Sequence, residues 1–346
     1  MPAENPDWTA SGAFEVSPGV HRIPLPMPTD GLRAVNVYAL TDPTKPESGC
    51  VLIDSGWALA QSRAALEAAL ASIGHDLGTI NRFLVTHAHR DHYTLGIEVR
   101  RTLGAKVAIG LGEKANIIAA INSKGSSEAG RMLPGWGAIE LLDEWTRTVS
   151  SEAAVAERSP FELPDEWIEP DAVLQVGARS LTAIPTPGHT RGHLVFLDAQ
   201  AGVLFSGDHV LPHITPSIGF EASRPENPLG DFLTSLRLLL AYPDVRMLPA
   251  HGGPTHSVHV RVHELIAHHE ARLDATEEAV VAGAGTAFEA ARRLGWTRHN
   301  RSFDSLDVFN RVLATGETSA HLIVLAERGR VRSSVDGAGV AIYEPK

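Results

Sequence analysis

Thr86-His87-Ala88-His89-Arg90-Asp91-His92 places three imidazoles and a carboxylate within six residues, in the spacing H-x-H-x-D-H. The stretch follows Phe83-Leu84-Val85, a short apolar run with the length and composition of a buried strand. A buried imidazole or carboxylate must keep a hydrogen bond or bear the cost of desolvation, so four together make poor core. On a tight loop leaving a strand they can instead converge on a divalent cation. Imidazole suits zinc, iron and copper, and the added carboxylate favours zinc or iron. The plainer alternative is a polar loop that happens to be rich in histidine. Later stretches count against it, because they carry the remaining ligands.

Those stretches are Pro187-Gly188-His189-Thr190, Ser206-Gly207-Asp208-His209 and Pro249-Ala250-His251-Gly252. Each ends an apolar, strand-like run: Leu181 to Ile184, Val203 to Phe205 and Val245 to Leu248. Four strand ends presenting His or Asp suggest one mouth where loops meet. In these residues the sequence resembles the metallo-β-lactamase superfamily of hydrolases, whose pattern is H-x-H-x-D-H, a lone His, a bridging Asp and a last His. All seven positions are filled. The resemblance implies that His87, His89 and His189 hold one metal ion and that Asp91, His92 and His251 hold a second, with Asp208 bridging. It implies two divalent ions, zinc first, with iron or manganese as alternatives that ligand type alone does not separate.

The composition is that of a soluble globular protein, 43% hydrophobic and 21% charged over 346 residues, long enough for one large domain or two. No apolar run reaches the roughly 18 residues of a membrane-spanning helix, so no membrane partner is expected. Met1 to Trp8 lacks the basic and apolar regions of a signal peptide, which counts against a secreted β-lactam hydrolase. Cys50 is the only cysteine and fits a reducing, cytoplasmic setting; beside Val51-Leu52-Ile53 it reads as a buried structural thiol. A net charge of −11 argues against nonspecific attraction to nucleic acid or to anionic membrane.

Along the chain, Val20 to Pro26, Val35 to Leu40 and Val51 to Asp54 read as consecutive strands. Leu59 to Ile73 and Tyr93 to Leu103 read as helices closed by Gly74 and Gly104, with Val107 to Ile109 the next strand. This alternation points to an α/β sandwich, and the resemblance makes it the αββα sandwich, over residues 1–256. Asp54 is either a turn-forming Asx residue or a carboxylate orienting a ligand imidazole from behind, and both can hold. Residues 112–170 read as a helical insertion with tryptophans at 136, 145 and 167. They form either a lid over the mouth or a homodimer contact. Tyr93 and Trp136 are candidate substrate contacts, with packing as the alternative for Tyr93. His193, His209 and His213 are candidate supporting histidines, His213 also a candidate proton donor. His256, His259 and His263 share a helical spacing but lack a carboxylate partner and read as a solvated face.

From residue 257 to 346 the chain reads as a second unit. Glu264 to Val281, Thr286 to Leu294, Leu306 to Ala314 and Ser319 to Ala326 are helical by periodicity. Val331 to Val335 and Val340 to Tyr343, around Asp336-Gly337, read as a hairpin. The order resembles the winged-helix domain of a metallo-β-lactamase-like subgroup, and Thr318-Ser319-Ala320-His321-Leu322 is similar to its final helix. With 11 Lys+Arg against 12 Asp+Glu, this unit lacks the basic stripe of a nucleic-acid reader. The expected activity is a dinuclear metal-dependent hydrolase in which a hydroxide bridging the metals attacks an acyl thioester or ester. Asp91 and Asp208 are the catalytic carboxylates. A metal-dependent endoribonuclease and an iron-dependent oxidoreductase are the alternatives.

Overall fold

The computed structural model describes residues 7–27, 31–42, 44–122, 128–153, 160–297 and 299–346. Strands β1 (Phe14–Ser17), β2 (Val20–Met27), β3 (Arg33–Thr41) and β4 (Cys50–Ile53) run as an antiparallel meander. Helix α1 (Ala60–Ser72) then crosses to β5 (Ile80–Val85), and α2 (Arg90–Leu103) crosses to β6 (Lys106–Gly110). β5 pairs in parallel with β4 and β6 with β5, and β7 (Glu166–Ile168), parallel to β6, completes a seven-stranded sheet in sequence order. Between β6 and β7 lie α3 (Lys114–Asn122), α4 (Glu128–Met132) and α5 (Leu142–Ala153). Asn122-Ser123-Lys124-Gly125-Ser126-Ser127 has the composition of a flexible break, and from residue 123 it falls outside the described residues.

The second sheet holds β8 (Val173–Val176), β9 (Arg179–Pro185), β10 (Leu194–Asp198), β11 (Val203–Gly207) and β12 (Arg246–Pro249). Its order is β12-β11-β10-β9-β8, with α6 (Pro228–Leu239) joining the parallel pair β11 and β12. Every residue of β10 and β11 is buried, as both-face coverage demands. The two sheets close on each other through Tyr38, Ile53 and Leu84 from one side and Phe196, Phe205 and Leu248 from the other. The outer face of the first sheet packs on α1 and α2 through Leu52, Phe83, Leu66, Leu70 and Ile97. This is the αββα layering expected from the sequence. Cys50 sits buried in the first layer, where burial pushes its thiol up to about 12.

Over the second sheet lie α6 and the C-terminal helices α7 (Val258–Val281), α8 (Ala287–Arg293) and α9 (Val308–Glu327), followed by the hairpin of β13 (Val331–Val335) and β14 (Ala341–Pro345). Ser257 caps α7 and Asp307 caps α9, each accepting a backbone N–H of the first turn. One correction concerns α9. The stretches read as two helices, Leu306 to Ala314 and Ser319 to Ala326, form a single helix through Gly316. That glycine is not a breaker; a Cβ there would meet the Trp136 ring at 3.0 Å, so it lets the indole pack against the helix. One core runs from Ile184, Val195 and Leu197 of the second sheet through Leu236, Leu265 and Val312 to Trp136 and Trp145.

Candidate metal centre

The chain leaves five strands of the two sheets at their carboxyl ends to form one mouth. Asp54 follows β4, His87 to His92 follow β5, His189 follows β9, Asp208 follows β11 and His251 follows β12. His89 occupies the N-cap position of α2, which places Asp91 in the first turn, where a carboxylate also suits the helix dipole. Gly207, at φ +50°, turns the chain into Asp208. A Cβ there would lie 2.6 Å from the His193 ring and 2.9 Å from Thr86, so no other residue fits without displacement.

His87 Nε2, His89 Nδ1 and His189 Nε2 stand 3.0 to 3.2 Å from one another. The opposite nitrogen of each ring fixes its tautomer. His189 Nδ1 donates to the Ser217 carbonyl at 2.7 Å, and His89 Nε2 donates to the Phe220 carbonyl at 3.1 Å. The Thr86 hydroxyl donates to the Asp54 carboxylate, so its oxygen is left to accept from His87 Nδ1 at 3.0 Å. Three lone pairs therefore face one another at contact distance. That arrangement is repulsive unless a cation lies among them.

The second set obeys the same rule. His92 Nδ1 donates to Asp54 at 2.9 Å and His251 Nδ1 donates to the Ala34 carbonyl at 2.8 Å. Their Nε2 atoms each lie 3.5 Å from Asp91 Oδ2. Asp208 looks both ways: Oδ2 is 3.5 Å from His189 Nε2, and Oδ1 is 3.4 Å from His251 Nε2 and 3.7 Å from His92 Nε2. His92 Nε2, His251 Nε2 and Asp208 Oδ1 are buried with no hydrogen-bond partner among the described residues. Ligand-capable atoms of His87, His89 and His189, and of Asp91, His92 and His251, fall within 4.8 Å of one another, and His87, His92 and Asp208 join the two sets. These residues fit two divalent ions by donor type, by tautomer and by the partners they lack.

The electrostatics agree. Burial, with the neighbouring imidazoles, takes His87 well below its usual range and His189 down to about 4, leaving both rings neutral. Burial alone would raise Asp91 and Asp208. The His92 and His251 rings outweigh it and hold both carboxyls below the usual range. Burial likewise opposes a charge on His92 and His251, yet Asp91 and Asp208 turn both upward, with Asp54 adding at His92. Three buried carboxylates thus demand positive charge at this spot, which protons on those rings or bound cations can supply.

The supporting residues fall into place unequally. Asp54, at φ +60°, binds His92 directly and His87 through Thr86, and also accepts the Thr86 N–H at 2.8 Å. His193 accepts the Asp208 N–H at its Nε2 and meets the Thr186 hydroxyl at its Nδ1, so it holds the backbone of Asp208. His209 lies deeper, its ring 4.9 Å from Phe232, and burial takes it down to about 3. His213 is exposed and outside the cluster. Tyr93 is wholly buried; its ring stacks on Phe161 and its hydroxyl donates to the Glu162 carbonyl. Trp136 is buried against α9 with Arg224 over its ring. Neither aromatic belongs to the clustered side chains.

Sequence reasoning missed three positioning residues. Asn36 donates to the Pro249 and Gly252 carbonyls and Tyr38 donates to Pro249, bracing the turn that carries His251. Glu113, fully buried, accepts from the Thr190 hydroxyl and the Gly192 N–H and so fixes the loop after His189. No local signal marks them, since the partners of Asn36 and Tyr38 lie more than two hundred residues away.

Residues 30–269 match the family model described as the metallo-beta-lactamase superfamily. The chain belongs to the metallo-β-lactamase superfamily. A solved metallo-β-lactamase family protein from Thermus thermophilus, TTHA1429, superposes with a TM-score of 0.76 at 32% identity, covering 96% of this chain and 100% of that one. The lactamase-like protein nscB of Aspergillus fumigatus is 33% identical over 128 residues, 36% of either chain. The atrochrysone carboxyl ACP thioesterase AgnL7 of Paecilomyces divaricatus is 35% identical over 86 residues, a quarter of either chain. The alignments thus span about a third or less of these two curated relatives. No helix among the described residues is long and apolar enough to cross a membrane.

Proposed function

We propose that this metallo-β-lactamase-fold protein is a dinuclear metal-dependent hydrolase acting on an acyl thioester or ester. The observation that carries the reading is the convergence of five tautomer-fixed imidazole lone pairs on a two-faced Asp208. His87, His89 and His189 would hold one divalent ion, and Asp91, His92 and His251 the other, with zinc the first candidate and iron or manganese alternatives. Bound there, two such ions lower the pKa of water toward neutrality and polarise an electrophilic carbonyl.

The chain's own residues do the rest. Asp208 fixes the separation of the two ligand sets, and His193 fixes Asp208. Asp91 is the carboxylate of the cluster with most exposure, its side chain 12% accessible, and so is placed to accept a proton from an attacking water. Asp54 and Thr86 hold His87 and His92 in the metal-binding tautomer. The thioester preference is supported by the thioesterase name of one relative and by the acidic chain, which disfavours polyanionic substrates. We propose further that residues 257–346 act as an appended winged-helix-like unit and that residues 112–170 help to shape the substrate side of the mouth.

The test is turnover of a panel of acyl thioesters, lactones, β-lactams and single-stranded RNA by purified protein with metal restored. Thioester or ester hydrolysis that disappears in Asp208→Ala supports the reading. Cleavage of RNA alone, or oxygen consumption with iron bound, overturns it.

A further inference from the structure

A second group of ligand-type side chains meets away from the strand ends, between α7 and α9. His268 and His269 lie on α7, and Glu317 and His321 lie one turn apart on α9. One ligand-capable atom from each of His268, His269 and Glu317 falls within 4.8 Å of the others. The hydrogen bonds behind them set the tautomers. His321 Nδ1 donates to the Glu317 carbonyl at 2.8 Å, which leaves its Nε2 as an acceptor. That acceptor lies 3.2 Å from His269 Nδ1, so His269 donates from Nδ1 and carries a lone pair on Nε2. His269 is wholly buried, and its Nε2 has no hydrogen-bond partner among the described residues.

A buried lone pair without a donor is costly, and the half-buried Glu317 carboxyl beside it offers a negative charge that a cation would answer. We propose that His268, His269 and Glu317 form a further site for a divalent transition metal, with His321 orienting His269 and the ion tying α7 to α9. Two imidazoles and one carboxylate suit zinc and the neighbouring first-row ions. Burial keeps His269 and His321 neutral, the form a ligand and its orienting partner require. His268 is exposed, which gives the ion an entry from solvent. Arg272 is the competing charge nearest Glu317, but its guanidinium lies over the Trp296 ring and donates to the Gly295 carbonyl. The site stands apart from the strand-end mouth, so its role is to fasten the helical layer rather than to take part in a reaction.

The test uses the full-length protein stripped with chelator and titrated with Co2+, reading bound equivalents by elemental analysis and ligand-field absorption. Wild type is compared with His268→Ala, an exposed position at which the fold is retained, and with the near-isosteric Glu317→Gln. The expected result is one equivalent more in wild type than in His268→Ala, and a melting temperature raised by Zn2+ more in wild type than in that variant. Glu317→Gln is expected to behave like His268→Ala. Equal equivalents and equal Zn2+ shifts in wild type and His268→Ala would overturn the proposal. A loss of strand-end metal in Asp208→Ala, with the extra equivalent retained, separates this site from the proposed reaction centre.

Discussion

Two histidine clusters in this protein use one device in different settings. At the strand ends, each clustered imidazole turns its rear nitrogen to a fixed acceptor: Asp54, Thr86, or the carbonyls of Ala34, Ser217 and Phe220. Between α7 and α9 the same relay runs from the Glu317 carbonyl through His321 to His269. The first cluster adds three buried carboxylates from separate strand ends and opens into a mouth. The second has one carboxylate and sits between helices. Tautomer control therefore leaves a ring nitrogen free to bind a cation in both places, whereas the three carboxylates and the opening belong only to the first, which is the one we propose for chemistry.

The comparison is broken most severely at Asp208. Asp208→Ala is expected to cut turnover by at least about a thousandfold while leaving the fold intact by circular dichroism, because it removes the one residue shared by both ligand sets. Phe232 joins the two regions, its ring 4.9 Å from His209 and 5.4 Å from His269. Phe232→Ala should cost about 3–5 kcal/mol in denaturant unfolding, with both clusters loosened together. Asp54→Asn keeps a residue that tolerates positive φ but replaces one carboxylate oxygen with an NH2 donor, so His92 Nδ1 and the Thr86 N–H can no longer both be accepted on separate oxygens. A loss of about 10–100-fold in metal affinity or activity is expected, measured by competition with a chelating dye.

The smallest expected effect sharpens the boundary between the mouth and the insertion. Glu221 shares Asn116 with Glu113, and burial, aided by the Glu113 charge, raises its carboxyl to about 8 despite the Arg191 N–H and Asn116. The folded state thus keeps a proton that the unfolded state releases. The stability from this group is full below its ordinary value of about 4.5 and is lost as pH rises through about 8. Glu221→Gln should flatten the fall in melting temperature between about pH 5 and 9; an unchanged slope would refute the assignment.

The strand-end cluster was legible because four of its residues fall within His87–His92, the others each follow an apolar strand, and their order is specific. Asp54 was legible only as a choice between turn and orienting carboxylate; its side chain bonds Thr86 and His92, at a positive φ. The braces Asn36, Tyr38 and Glu113 were not legible, since a single polar residue in a strand or turn carries no mark of a distant partner. Near the start of α7 the sequence drew attention to His256, His259 and His263, which share a spacing, but His256 lies ahead of the helix. His256 and His263 are exposed and His259 bonds the Tyr242 carbonyl, and the three form no cluster among the described residues. The histidines that do cluster, His268 and His269, need Glu317 and His321 from another helix about fifty residues on, a juxtaposition only the fold creates. Periodicity divided α9 at residues 315–318, where Gly316 sits against the Trp136 indole, a contact the sequence does not show.

The most direct test of the central claim is the metal stoichiometry of the strand-end cluster, isolated in the His268→Ala protein. Titration of the stripped variant with Co2+, read by elemental analysis and absorption, should reach two equivalents per chain, and both should be lost or weakened together when Asp208→Ala is added. Saturation at one equivalent or fewer, or two equivalents undisturbed by Asp208→Ala, would contradict a carboxylate-bridged pair at this mouth.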